Sequence, residues 1–234
     1  MEYLLIAFLG TIAGSFITAA SYRLPREQDI LLARSHCTSC KKALRVRDLV
    51  PVFSWLWNRA KCGMCGAKIS ARYILTELLT ALVAVGLFYK FGLSLQFGVF
   101  MLLAIFMLIM IIADLETYIM PDSTTVLSLV LGVFYVYYFR GNWEDHAIGM
   151  LACLVIALSM RYGYKLIKKK EGLGMGDVKF LPVAGLWVGF TLMPVFLMIA
   201  GFLGILLAIF WRIKYKNPEF PFGPALAVSM LLLC

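Results

Sequence analysis

The sequence predicts an all-α polytopic membrane protein of about eight transmembrane helices, with a cysteine-bearing cytoplasmic loop between the first and second spans. Three observations carry this. First, 62% of the 234 residues are hydrophobic and only 15% charged, far from the composition of a soluble domain. Second, apolar runs of roughly 17 to 20 residues, the length that about 30 Å of hydrocarbon demands, recur along the chain. Third, the basic residues are distributed unevenly among the connectors between those runs.

The expected spans are Met1–Ala20, Tyr73–Tyr89, Leu93–Ala113, Ser123–Phe139, His146–Tyr162, Val178–Phe190, Leu192–Trp211 and Phe222–Cys234. No basic residue precedes the apolar stretch of the first, so it reads as a retained span with an outside N-terminus, not as a cleaved signal peptide. The sixth and eighth are short. The sixth also contains Pro182, Gly185 and Gly189, so it is expected to be kinked or tilted, or held by neighbours that satisfy its backbone. This organisation divides the chain into a first span (1–20), a loop subdomain (21–72) and a larger transmembrane region (73–234).

If all eight runs cross, 20 of the 22 Lys and Arg fall on one side: eleven in 21–72, six in 161–179 and three in 212–216. Lys90 and Arg140 are on the other. The positive-inside rule then assigns the 21–72 loop and the Lys165–Lys170 region to the cytoplasm. The formal net charge of +9 is thereby explained by topology and by contact with anionic headgroups of the lipid bilayer. Nucleic acid is not an expected partner, because the cations lie where the membrane already requires them.

The loop contains SHCTSC (35–40) and KCGMCG (61–66), two Cys-x-x-Cys pairs with 21 residues between Cys40 and Cys62. Four thiolates, Cys37, Cys40, Cys62 and Cys65, can close a tetrahedral structural Zn2+ site at this spacing. Gly63 and Gly66 fit the tight turns of such knuckles. A loop of about 50 residues buries little core, so a metal would supply much of its folding free energy. The alternatives are two disulfides or a redox pair; a cytoplasmic location disfavours stable disulfides. His36 is expected to be a bystander, and Cys153 and Cys234 small apolar fillers.

Carboxylates at the ends of apolar runs raise a functional hypothesis. Asp114, in ADLETYIMPD, ends the third span, and Asp177, in GLGMGDVK, opens the sixth, both on the cytoplasmic side. Two carboxylates at one depth on neighbouring helices suit an aspartyl protease. They share a proton; one activates water while the other polarises the peptide carbonyl. Gly174 and Gly176 leave the backbone beside Asp177 without side-chain bulk, so an extended substrate strand could lie there. The alternative is structural, with Asp114 at the lipid interface and Asp177 capping a helix. Glu116, Asp122 and Lys179 read as solvated flanking residues. A thiol oxidoreductase would leave GMGD unexplained, and a transporter would use the acids to bind a proton or cation.

Several ordered motifs resemble the type IV prepilin peptidases, of the GxGD class of membrane aspartyl proteases. GTIAGSFITAASYRLPRE (10–27) resembles the family's first-span motif, RDLVPVFSWLW between the cysteine pairs resembles its zinc-binding loop, and KISARYILTELL (68–79) continues the match. ADLETYIMPD and GLGMGDVKFLPVAGLWVG are similar to its catalytic segments, and PFGPALAVS to its closing motif. The resemblance implies that Asp114 and Asp177 form the catalytic dyad. It also implies that the substrates are type IV prepilin or pseudopilin precursors, whose short basic leader is cut just after a glycine. Glu116, Asp122 or Glu171 would offer that leader acidic contacts. Many members also methylate the new N-terminus with S-adenosylmethionine, an activity associated with the N-terminal half. There the chain departs from the family pattern, with Thr18 where GSF-x-N-V has an asparagine.

Overall fold

The computed structural model describes residues 1–30, 34–169, 172–216 and 219–234. Among the described residues there is no strand; two isolated antiparallel bridges, His36 with Ala43 and Lys61 with Lys68, stand in the loop. The chain forms two compact units, Met1–Ile109 and Met110–Cys234.

In the first unit, α1 (Glu2–Arg23) packs along α3 (Arg72–Phe91), and the loop between them carries the short α2 (Phe53–Trp57). Small residues let the two long helices approach. A Cβ at Gly10 would stand 2.7 Å from Ala81 Cα, and one at Gly14 would stand 2.5 Å from Glu77 Cα. Ile6, Ala84 and Phe88 close the far end of the pair against Val85, Phe97 and Met101. The first fifteen residues of α4 (Leu95–Thr117) belong to this unit and the rest to the second.

The second unit is built around α7 (Met175–Val188), which packs against α5 (Asp122–Tyr135), α6 (Trp143–Lys168) and α9 (Gly223–Leu233). A π-helical turn, Val136–Arg140, extends α5, and α8 (Met193–Tyr215) packs mainly on α9. Ten of the fourteen residues of α7 are buried. The helix therefore runs through Pro182 without exposing to lipid the carbonyl that proline leaves unpaired, because its neighbours surround it. Gly149 and Gly185 let α6 and α7 cross with backbone against backbone. Where α7 ends, His146 Nδ1 lies 2.7 Å from the Leu186 carbonyl oxygen, and Asp145 Oδ1 accepts the Thr191 N–H and hydroxyl. Trp187 donates to the Ser128 carbonyl at 3.0 Å and stacks on Tyr135, which fixes α5.

Each expected span coincides with a helix, but eight crossings are not established. Among the described residues six helices are long and apolar enough to cross a membrane: α1, α3, α4, α5 with its π-turn, α6 and α8. α7, with 14 residues, and α9, with 11, are about 21 and 16 Å long at the helical rise, short of about 30 Å of hydrocarbon. Hydropathy finds both because they are buried in protein, which needs apolar side chains as much as lipid does.

Candidate active site and metal centre

The carboxylates that end α4 and open α7 fall within the second unit. Asp114 lies three residues before the C-terminus of α4, and Asp177 is the third residue of α7, behind Gly174 in extended conformation. Both are buried, at 5% and 8% exposure. Asp114 Oδ2 accepts the N–H of Gly223, the first residue of α9, at 2.9 Å. Asp177 Oδ1 is buried with no hydrogen-bond partner among the described residues.

Met120 links these groups. It is 8% exposed and lies against two glycines: a Cβ at Gly176 would stand 3.0 Å from Met120 Cβ, and one at Gly223 would meet Met120 Cε and stand 2.7 Å from Asp114 Oδ2. A Cβ at Gly174 would stand 3.0 Å from Asp177 Oδ2. The segment joining α4 to Met120 turns at Tyr118, where φ is +56°, an uncommon conformation for an aromatic residue. The Tyr118 N–H donates to the Asp114 carbonyl, and its hydroxyl accepts the Trp211 indole N–H at 2.7 Å.

Of the flanking residues, Lys179 and Asp122 form an exposed ion pair at 2.7 Å, and Glu116 is exposed. Lys170 and Glu171 lie outside the described residues. Gly223 and Met120 were not singled out from sequence, although PFGP and IMPD were. Their contacts span up to 109 residues of chain, and no local pattern signals them.

In the first unit the sulfurs of Cys37, Cys40, Cys62 and Cys65 all lie within 4.8 Å of one another. Cys37 and Cys65 are 3.9 Å apart, close to the edge of about 3.8 Å of a tetrahedron with 2.3 Å metal–sulfur bonds. Two matching turns build the cluster. The Cys37 N–H donates to the Lys42 carbonyl and the Lys41 N–H to the Cys37 carbonyl; Cys62 pairs with Ala67, and Gly66 with Cys62, in the same way. The residue after each second cysteine is left-handed, Gly66 at +71° and Lys41 at +58°. Gly63 has no positive φ, so the turn requirement expected of it falls on Gly66 alone; Thr38 fills the matching place in the first turn.

The Cys40 N–H draws the Cys37 thiol down to about 6. For Cys65 the Ala67 N–H favours the thiolate, but lost hydration and the neighbouring sulfurs outweigh it and push the thiol up to about 11. Four sulfurs at these distances cannot all be thiolates without a cation between them, so the donor set fits a metal ion. His36 is exposed and outside the cluster.

The bacterial peptidase A24 N-terminal domain matches residues 8–91, and the type IV leader peptidase family matches residues 101–209. A prepilin leader peptidase/N-methyltransferase from Dichelobacter nodosus is 33% identical over 96% of this chain and 88% of its own length. One from Aeromonas hydrophila is 29% identical over 98% of this chain and 89% of its own. The type 4 prepilin-like proteins leader peptide-processing enzyme of Escherichia coli O78:H11 is 32% identical over 94% of this chain and 88% of its own. No solved structure matches the chain.

Proposed function

The chain belongs to the type IV leader peptidase family, and from that premise we infer that it is a membrane aspartyl endopeptidase removing the leader peptide from type IV prepilins or pseudopilins. The observation that carries this reading is the burial of two carboxylates, Asp114 and Asp177, on separate helices of one compact unit, with Asp114 bonded to Gly223 and with Gly223 and Gly176, the neighbour of Asp177, both packed on Met120. Asp114 and Asp177 are the catalytic pair in this proposal.

Two carboxylates so placed hold one proton between them. The Gly223 N–H supports negative charge on Asp114, which makes Asp114 the base toward the attacking water. Asp177 carries the proton and, through its unpaired Oδ1, polarises the scissile carbonyl. Gly174 and Gly176 carry no side chain before Asp177, which leaves the backbone there open to an extended strand. Met120, packed on Gly176 and Gly223, is the side chain such a strand displaces, and its unbranched thioether can repack at small cost.

The proposed working division is the first span (1–20), the four-cysteine loop (21–72) and the protease region (73–234). We place the N-terminus outside, and the loop and both aspartates on the cytoplasmic side of the bacterial inner membrane, from the distribution of Lys and Arg. Cys37, Cys40, Cys62 and Cys65 would hold Zn2+, which would tie the two turns together without taking part in hydrolysis.

The relatives' names pair leader peptidase with N-methyltransferase, and we propose the same pairing here, with S-adenosylmethionine supplying the methyl group. In the first-span motif, the Thr18 hydroxyl donates to the Ser15 carbonyl of its own helix at 2.7 Å. A hydroxyl so engaged offers different donors from the amide of the asparagine in the family motif. The test is cleavage of a reconstituted prepilin read by product mass, comparing wild type with Asp114→Asn and Asp177→Asn. Loss of the leader with wild type alone supports the dyad, and the mass of one added methyl group reads transfer separately. Cleavage by either variant at the wild-type rate would remove that residue from the mechanism.

A further inference from the structure

The loop between α1 and α3 carries an apolar surface that neither the cysteine cluster nor the carboxylate pair uses. Leu49, Val50, Phe53, Leu56 and Trp57 are all exposed, Phe53 at 65% and Trp57 at 89%. No residue of α2 is buried. Exposed cations bracket the patch, Arg45 and Arg47 before it and Arg59 and Lys61 after it. An aromatic and aliphatic centre edged by Arg and Lys is the chemistry of a segment lying in the headgroup layer of a bilayer.

A hydrogen bond fixes the depth of this segment. The Val52 N–H donates to Glu77 Oε2 at 2.7 Å, and Glu77 is the sixth residue of α3 and only 6% exposed. Five helical steps place Glu77 about 7.5 Å along the axis from Arg72. α3, with 20 residues, is about 30 Å long, the thickness of the hydrocarbon layer itself. A backbone amide bonded at the level of Glu77 therefore lies within about 7.5 Å of one edge of that layer and not in bulk water. Val52 holds a φ of +61° in making this bond, a conformation that a β-branched residue adopts only when its surroundings impose it.

We propose that residues 49–57 are an interfacial anchor whose partner is the phospholipid bilayer. The exposed apolar side chains enter the acyl boundary, and Arg45, Arg47, Arg59 and Lys61 meet anionic headgroups. The cysteine cluster is thereby docked on the membrane surface instead of projecting from it. The inference needs α1 and α3 to span the bilayer and is independent of the catalytic reading.

The test uses the full-length protein in vesicles of phosphatidylcholine and phosphatidylglycerol whose acyl chains are brominated near the headgroup. The Trp57 contribution is the difference between wild type and Trp57→Phe. Most of the Trp57 emission is expected to be lost in brominated vesicles and to resist acrylamide added to the water phase. Emission indifferent to bromine and open to acrylamide would overturn the proposal. So would emission shielded from acrylamide only after a prepilin is added, which would assign the patch to a protein partner.

Discussion

Asp114 and Asp177 are buried within one compact unit, and asparagine keeps the shape of each while removing its charge. Asp114→Asn and Asp177→Asn are therefore expected to insert and fold normally but to lose about 10²- to 10⁴-fold or more in cleavage rate, the usual contribution of an acid or base. Circular dichroism and product mass on the same preparation check this. On the proposed mechanism, in which the pair works with one shared proton, the rate should fall on both sides of an optimum. Acid protonates the base, and alkali removes the proton from the acid. A cleavage rate still rising across the whole range in which the protein is folded would count against proton sharing. Gly223→Ala would press a methyl group on Asp114 Oδ2 and Met120. It is expected to lower kcat well beyond any change in KM, while costing about 1–3 kcal/mol of stability through overpacking. A KM effect alone would mean that Gly223 serves substrate binding and not the carboxylate.

The helix pairs depend on close backbone approaches. At Gly14 a Cβ would be 2.5 Å from Glu77 Cα, so Gly14→Ala must push α1 off α3 or bend one of them. A loss of about 1–3 kcal/mol is expected, read as a lower Tm in detergent, and an unchanged Tm would show that the pair can separate freely. Gly149 and Gly185 impose the same constraint where α6 crosses α7. Most elements were legible because apolar runs and helices share their boundaries: α1, α3, α4, α5 with its π-turn and α8 each lie within four residues of the expected span, while α6 runs six residues past the end of its own. The crossing status of α7 and α9 was not legible. A helix wrapped by other helices and a helix wrapped by lipid select the same side chains, and only the neighbours of α7 distinguish them.

For the molecule as a whole, the four-sulfur cluster ties together two turns of a loop that has little core of its own. With the proposed Zn2+ bound there, chelation, or Cys37→Ser, is expected to unfold this loop first, seen as rapid hydrogen exchange over residues 35–69. Acid should release the metal in the same way, because protons compete for each thiolate as pH falls. Absence of stoichiometric zinc from purified protein would remove the structural-site reading. The sequence alone determined that the chain is helical and membrane-embedded, that four cysteines stand at metal-site spacing, and that two aspartates stand at helix ends. Hydropathy, ligand spacing and charge at a span boundary are local properties, written in consecutive residues. Only the tertiary structure decided that Gly223 bonds Asp114, that Met120 fills the space beside both Gly176 and Gly223, and that Glu77 holds Val52 at the level of α3. Each of those contacts joins residues 25 to 109 positions apart or depends on a close approach of separate segments, and packing distance is not encoded in any short stretch of chain.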